Sequence, residues 1–242
     1  MSDRREFIKC GAAALATAVV AGNVAAKAEP AAVAEPAVER LGTRSGEVIE
    51  LVLINHGSIA IRYRGKSFYV DPVEVKGRCS YRDMPKADAI FITHDHFDHL
   101  DEPTIAAIST GKTRRFRKED RVTPMEGVAV SAKPAYNTTP GRGKFHPRGV
   151  GRGYLFEIED RRIYVAGDTE DIPEFAAIAN VDVAFFPVNQ PYTMTPAQCA
   201  NAVRTMKPAR VIPYHMGNTD LKALEAELKS TGVPFKIYEC LR

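Results

Sequence analysis

From residue 46 onward the chain alternates short apolar runs with turn residues. The run Val48-Ile49-Glu50-Leu51-Val52-Leu53-Ile54 and residues 58–63 and 67–70 predict three strands in an antiparallel meander, the last two joined by Arg64-Gly65. Residues 88–93 predict a buried strand and 103–109 a short helix. Residues 128–131, 153–159 and 162–166 predict three further strands, the last two joined across Asp160-Arg161. Residues 182–186, 210–213 and 234–238 read as strands as well. Thr195-Pro196-Ala197-Gln198 opens a helix, with a capping threonine, proline at the first position and glutamine three residues on, and Asp220 opens another that reaches Lys229. Strands in two batches, each followed by helices, predict two sheets packed face to face with helices outside, an α/β sandwich in four layers.

The N-terminal segment reads differently. Arg4-Arg5-Glu6-Phe7-Ile8-Lys9 precedes an Ala/Val-rich stretch and the small-x-small pattern Ala26-Lys27-Ala28, the makeup of a signal peptide cleaved after Ala28. The paired arginines are similar to the twin-arginine signal, which implies a twin-arginine translocase as partner and export to the periplasm or beyond in the folded state. Residues 29–45, with Pro30, Pro36 and many alanines, read as a flexible tether, with order expected from Gly46 and a catalytic domain over 46–242.

Composition narrows the function classes. With 242 residues and 45% apolar content the chain can bury one substantial core. Residues 1–28 carry four basic and two acidic residues of a chain whose net charge is +3, so the remainder is nearly neutral and overall charge gives no argument for nucleic acid or membrane. Cys79, Cys199 and Cys240 have no close spacing, and no disulfide framework is expected. The basic stretch 112–121 reads as a solvated surface.

The chemistry concentrates in Thr93-His94-Asp95-His96-Phe97-Asp98-His99-Leu100, directly after the apolar run Ala89-Ile90-Phe91-Ile92. Imidazoles two apart at a strand end can project to one side, and an Asp and a His shortly after can wrap back if the chain turns, so one loop can serve two metals. A lone pair of histidines would be surface decoration; the full His-x-His-x-Asp-His spacing behind a strand is not.

This spacing resembles the signature of the metallo-β-lactamase superfamily, and with His56, Asp71-Pro72, Gly167-Asp168-Thr169, Tyr192 and His215 the chain looks like its compact branch of lactonases and N-acyl phosphatidylethanolamine phospholipase D. The resemblance implies a four-layer αββα sandwich and two divalent ions, Zn2+ before Mn2+ or Fe2+. It places His94, His96 and a third histidine on one ion, Asp98, His99 and His215 on the other, and Asp168 between them. His146 is the only histidine between Leu100 and Asp168; Asn137, after Ala135-Tyr136, is the alternative.

It further implies a hydrolase of a small molecule that attacks an ester, lactone, amide or phosphodiester with a hydroxide shared by two ions, Asp98 orienting it, and the basic residues around His146 could grip an anionic group of the substrate. Tyr192, Arg148 and His56 are candidates for contacting substrate, with Arg142, Lys144 and Arg152 as further basic groups around His146. Two other readings stay open: an iron-dependent oxidoreductase of the same fold, of the persulfide dioxygenase type, and a non-catalytic metal-binding protein. Di-iron members typically carry Glu where His96 stands, which favours a hydrolytic ion.

Overall fold

The structure is a computed structural model and describes residues 36–117 and 119–242; the expected signal peptide and residues 29–35 of the tether lie outside them. The first sheet has the strand order β1 (Ala37–Gly42), β2 (Val48–Asn55), β3 (Ser58–Tyr63), β4 (Lys66–Val70), β5 (Ala89–Phe91), β6 (Arg114–Phe116). The first four strands are antiparallel, and β5 and β6 continue in parallel. Arg64 and Gly65 both take positive φ, 47° and 71°, the backbone twist that closes a two-residue hairpin between β3 and β4.

The second sheet runs β12 (Val211–Tyr214), β11 (Val183–Pro187), β10 (Arg161–Val165), β9 (Gly151–Ile158), β8 (Val128–Ala135), β7 (Arg121–Met125). Here too an antiparallel set, β7 to β10, is extended by parallel strands, β11 and β12. The two sheets share a core in which Leu51, Ile61, Phe68 and Phe91 meet Val130, Tyr154, Phe156 and Val165, all buried. On the first sheet's other face Val52, Tyr69, Ile90 and Ile92 pack against Ile105 and Ile108 of α1 (Glu102–Ile108). Two more helices, α2 (Pro196–Met206) and α3 (Leu221–Lys229), bury Val203, Met206, Leu224 and Leu228 in the larger core. Two mixed sheets flanked by helices are the expected sandwich.

The predicted helix starts are borne out at their caps. Thr195 accepts from the Gln198 backbone N–H while the Gln198 side chain accepts from Thr195 N–H, and Asp220 accepts from the N–H of Lys222 and Ala223. No helix among the described residues is long and apolar enough to cross a membrane.

Three expectations are corrected. Residues 37–42 of the expected tether are strand β1, paired along its length with β2. The reason is a partner far off in sequence: Glu39 points inward to Arg210 at 2.8 Å, Lys236 at 3.1 Å and the Tyr238 hydroxyl. The basic stretch lies at the surface as expected and holds β6 and the start of β7; there Arg115 forks onto Glu102 at 2.7 and 2.9 Å, Arg117 pairs with Asp95, and Arg121 meets Glu157 at 2.9 Å. The predicted last strand is reduced to a single bridge between Phe235 and Val211, after which the chain turns into a short 3₁₀ helix, Glu239–Leu241. The β9–β10 turn is centred one residue earlier than expected, on Glu159 with φ 51°.

Candidate metal centre

Because β2, β4 and β5 run in one direction, as do β10 and β12, their C-terminal ends supply one edge of the sandwich. His56 follows β2, Asp71 ends β4, the histidine loop follows β5, Asp168 follows β10 and His215 follows β12. Carboxyl ends of parallel strands are where backbone leaves the ladder and side chains are free to converge. Three of these residues, His56, Asp71 and His215, sit in the left-handed region at φ 47°, 44° and 49°. Each non-glycine residue there costs on the order of 1–2 kcal/mol, so the surrounding contacts must hold them in place.

The histidine loop makes the turn its sequence requires. His99 and Leu100 both donate their N–H to the His96 carbonyl, at 3.0 and 2.9 Å, which wraps Asp98 and His99 back toward His94. His94 Nε2 lies 3.0 Å from His96 Nδ1, which lies 3.3 Å from His146 Nε2, which lies 3.2 Å from Asp168 Oδ2. On the other side His99 Nε2 is 3.4 Å from Asp168 Oδ1, and His215 Nε2 is 3.5 Å from Asp168 Oδ2 and 3.3 Å from Asp98 Oδ2. Asp168 therefore stands between two groups of donors, one holding His94, His96 and His146 and the other His99 and His215, with Asp98 beside the second.

These separations fit a metal. Zn–N bonds of about 2.0–2.1 Å in a tetrahedron put donor atoms about 3.3 Å apart. The chain's own hydrogen bonds also leave the right nitrogens bare. His146 Nδ1–H donates to the Tyr192 carbonyl at 3.0 Å, so Nε2 offers a lone pair. His99 Nδ1–H donates to Asp71 Oδ2 at 2.7 Å, which leaves Nε2, a buried atom without a hydrogen-bond partner, aimed at the equally unpartnered Asp168 Oδ1. Two buried atoms facing each other in this way need a cation between them.

Electrostatics agrees with that arrangement. Burial, reinforced by the His99, His146 and His96 imidazoles, pushes His94 down to about 2, keeping it in the neutral form that binds metal. Burial opposes charge on Asp168, but His215 and His99 outweigh it and hold the carboxyl well below its ordinary range. For His99 burial again opposes the charge, and Asp168 and Asp71 reverse it, raising the pKa well above the ordinary value: two carboxylates demand a positive charge at this point.

Asp71 was seen in the sequence only as part of an Asp-Pro pair, yet it organises the site. Its carboxylate accepts from the Thr93 N–H at 2.8 Å, from Thr93 Oγ1 at 2.5 Å and from His99. Thr93 Oγ1, its proton given to Asp71, accepts in turn from His94 Nδ1 at 3.0 Å. One buried carboxylate thus fixes the tautomer of two histidines, one from each group. We expect Asp71→Asn to weaken metal binding about 10–100-fold, the usual cost of losing such a partner, measured by competition with a chelating dye. Unchanged affinity would contradict the role.

The glycine after His56 also has a physical reason. A Cβ on Gly57 would lie 2.9 Å from His99 Cε1, so any side chain there displaces the ring. The His56 ring lies tilted against His215 with centroids 3.8 Å apart, and its Nε2 is 3.7 Å from Asp98 Oδ2, which puts it beside the second group of donors. His56 donates its backbone N–H to the Cys240 carbonyl and accepts from the His215 N–H, both at 3.1 Å, tying the C-terminus to the site.

The other sequence candidates divide. A cavity of about 520 Å³ opens over the donors, lined by Asp95, His96, Phe97, Asp98, Lys144, Phe145, His146, Asp168, Asn189, Tyr192 and His215. Tyr192 and Lys144 are brought to it. Arg148 is not: its guanidinium lies 2.8 Å from Glu174 and over the Tyr136 ring, away from the cavity lining. Arg142 is spent on the Pro191 and Thr193 carbonyls and on Glu170. Asn137 donates its amide N–H to the Arg142 and Tyr192 carbonyls and is not in the cavity lining, whereas His146 is.

Comparison with known proteins agrees with this geometry. The beta-lactamase superfamily domain matches residues 50–215, from β2 through the last histidine of the cluster. The chain belongs to the metallo-β-lactamase superfamily. Within that superfamily, a UPF0173 metal-dependent hydrolase of Polaromonas is 31% identical over 173 residues, 57% of this chain and 63% of that protein. The first curated relatives are matched over only 63–65% of their length. A structure from Parabacteroides distasonis, named a candidate metal-dependent hydrolase, shares 39% identity with a TM-score of 0.78, over 84% of this chain and 99% of that one. Igni18, a metallo hydrolase from Ignicoccus hospitalis, is alike in fold at 19% identity and a TM-score of 0.65, over 80% of this chain and 96% of that one.

Proposed function

We propose that this metallo-β-lactamase superfamily member is a metal-dependent hydrolase that holds two divalent ions and cleaves an ester, lactone, amide or phosphodiester of a small molecule. The observation that carries it is Asp168, whose carboxylate faces both groups of imidazoles: Oδ2 lies 3.2 Å from His146 and 3.5 Å from His215, and Oδ1 lies 3.4 Å from His99. Divalent ions at such a site lower the pKa of water toward neutrality and polarise a substrate oxygen.

The chain's own residues supply the rest. Asp71 and Tyr192 hold His94, His99 and His146 with their lone pairs turned inward, so little reorganisation is needed when a substrate arrives. Asp98, partly exposed to the cavity, is kept ionised: burial opposes this, but hydrogen bonds from His215 and His56 prevail, and it can orient a nucleophile by accepting its proton's hydrogen bond. Phe97, Phe145 and Tyr192 give the cavity an apolar side next to the donors.

The family names of its relatives and the histidine at position 96 favour hydrolysis over oxygen chemistry. For the segment before residue 36, the arginine pair and the cleavage pattern support export after folding, which would let the site be filled in the cytoplasm.

The test is a screen of lactones, phosphodiesters, amides and esters with the full chain carrying a measured complement of zinc or manganese. We expect turnover of at least one class, abolished by a chelator and restored by the metal. Protein that holds two ions per chain and hydrolyses none of the four classes would overturn the reading.

A further inference from the structure

The cavity over the donors is asymmetric in charge and in polarity. Of the charged groups in its lining, Asp98 and Asp168 belong to the donor cluster, and Asp95 is neutralised by Arg117. Lys144 is the remaining one; no carboxylate pairs with it among the described residues, and its ammonium rests over the Phe145 ring at 5.1 Å. That ring meets Tyr192 edge to face at 5.1 Å. Across the loop of ligands stands Phe97, 87% exposed, and Tyr192 is itself 46% exposed.

An aromatic ring left almost wholly in water forgoes roughly 1.5–3 kcal/mol of burial. Phe97 is such a ring, and with the half-exposed Tyr192 and the half-buried Phe145 beside the same mouth it forms an apolar surface waiting for a cover. The cation is well placed to act with them, because its loop is fixed. His146, two residues on, is bound through its ring to the Tyr192 carbonyl, and its own carbonyl accepts from Asn137 N–H at 2.9 Å. The backbone that carries Lys144 is therefore anchored beside the donors.

Resting on the hydrolase reading above, we infer that the site takes substrates with an apolar body, covered by Phe97 and the Phe145–Tyr192 pair, and with an anionic group away from the scissile bond that Lys144 grips. Lys144 is then the residue that sets specificity for charge. A carboxylate and a phosphate or sulfonate offer the same chemistry to a lysine, a compact ammonium that does not demand the planar fork an arginine would. The cavity's volume, about 520 Å³, suits a molecule of modest size.

The test uses binding, so it does not depend on finding the reaction. Anilinonaphthalene sulfonate is an aromatic anion and a poor metal ligand, and N-phenyl-1-naphthylamine is its neutral counterpart. The chain has no tryptophan, which leaves dye fluorescence free of indole transfer. With the metal-loaded full chain we expect the sulfonate to bind about tenfold more weakly to Lys144→Met, as loss of a charge-assisted contact implies. Lys144→Arg should recover most of the affinity, and the neutral dye should not distinguish the variants. Phe97→Ala should weaken both dyes. An arylcarboxylate and an arylphosphonate as competitors then show which anion is preferred.

A sulfonate affinity indifferent to Lys144→Met, or a loss shared equally by the neutral dye, overturns the role of the lysine. Unchanged binding of both dyes by Phe97→Ala overturns the apolar half. Either failure leaves the hydrolysis screen unaffected, just as a failed screen leaves dye binding to be judged by itself.

Discussion

Replacing Asp168 by alanine is expected to reduce the metal content from about two ions per chain to one or none and to lower turnover by more than about 100-fold. That bound follows because loss of a mere hydrogen-bond partner of a ligand already costs 10–100-fold. Among the described residues Asp168 is the carboxylate shared by both clusters: Oδ2 lies 3.2 Å from His146 and 3.5 Å from His215, and Oδ1 lies 3.4 Å from His99. Without it four buried imidazoles and the exposed His96 face only Asp98 at the edge of the cluster, since Asp71 is taken up by His99 Nδ1 and Thr93. Asp168→Asn separates shape from charge, keeping the packing while removing the anion that makes closely spaced cations tolerable. Elemental analysis of both variants, with near-ultraviolet circular dichroism to verify the fold, decides the matter. An alanine variant that still binds two ions, or a wild-type chain that binds only one, would remove the bridging role.

Much of this centre was legible before the structure, and the reason is local. The spacing in the loop 94–99 encodes four donors, and the apolar run before it encodes the strand that aims them. Asp168 and His215 could be picked out because each follows such a run at a position where the resemblance implies a ligand, and His146 because it is the only histidine between Leu100 and Asp168. What the sequence withheld depends on contacts between distant residues. Asp71 becomes the anchor of His94 and His99 only when β4 lies beside β5, 22 residues from Thr93 and 28 from His99. Strand β1 lacked a strong apolar alternation, and it forms because Glu39 finds Arg210, 171 residues away. Arg148 read as a substrate contact because it is near His146 in sequence, but the loop turns it outward to Glu174.

The buried pair Glu170–Arg142 is the second place where a single change should have a large effect, and it illustrates the same dependence on distant contacts. Glu170 is fully buried two residues beyond Asp168. One oxygen accepts from the N–H of Thr138 and Thr139, at 2.7 and 2.6 Å, and from the Thr138 hydroxyl at 3.0 Å; the other meets Arg142 at 2.8 Å. Arg142 in turn donates to the carbonyls of Pro191 and Thr193, so the pair clamps the loop that carries His146 to the loop that carries Tyr192. Removing one partner of a buried, hydrogen-bonded ion pair costs about 3–5 kcal/mol, because the other is left charged and unsatisfied. Glu170→Ala should therefore lower the melting temperature by roughly 6–20 °C, at about 2–4 °C per kcal/mol for a domain of this size. It should also weaken the ion bound by His94, His96 and His146. The paired replacement Arg142→Met with Glu170→Met tells positioning from mere stability: two apolar side chains should recover much of the melting temperature, yet they cannot donate to Pro191 and Thr193, and metal affinity should stay low. Recovery of both together would show that the clamp supplies stability alone, and a Glu170→Ala chain with native melting temperature and metal content would show that it does neither.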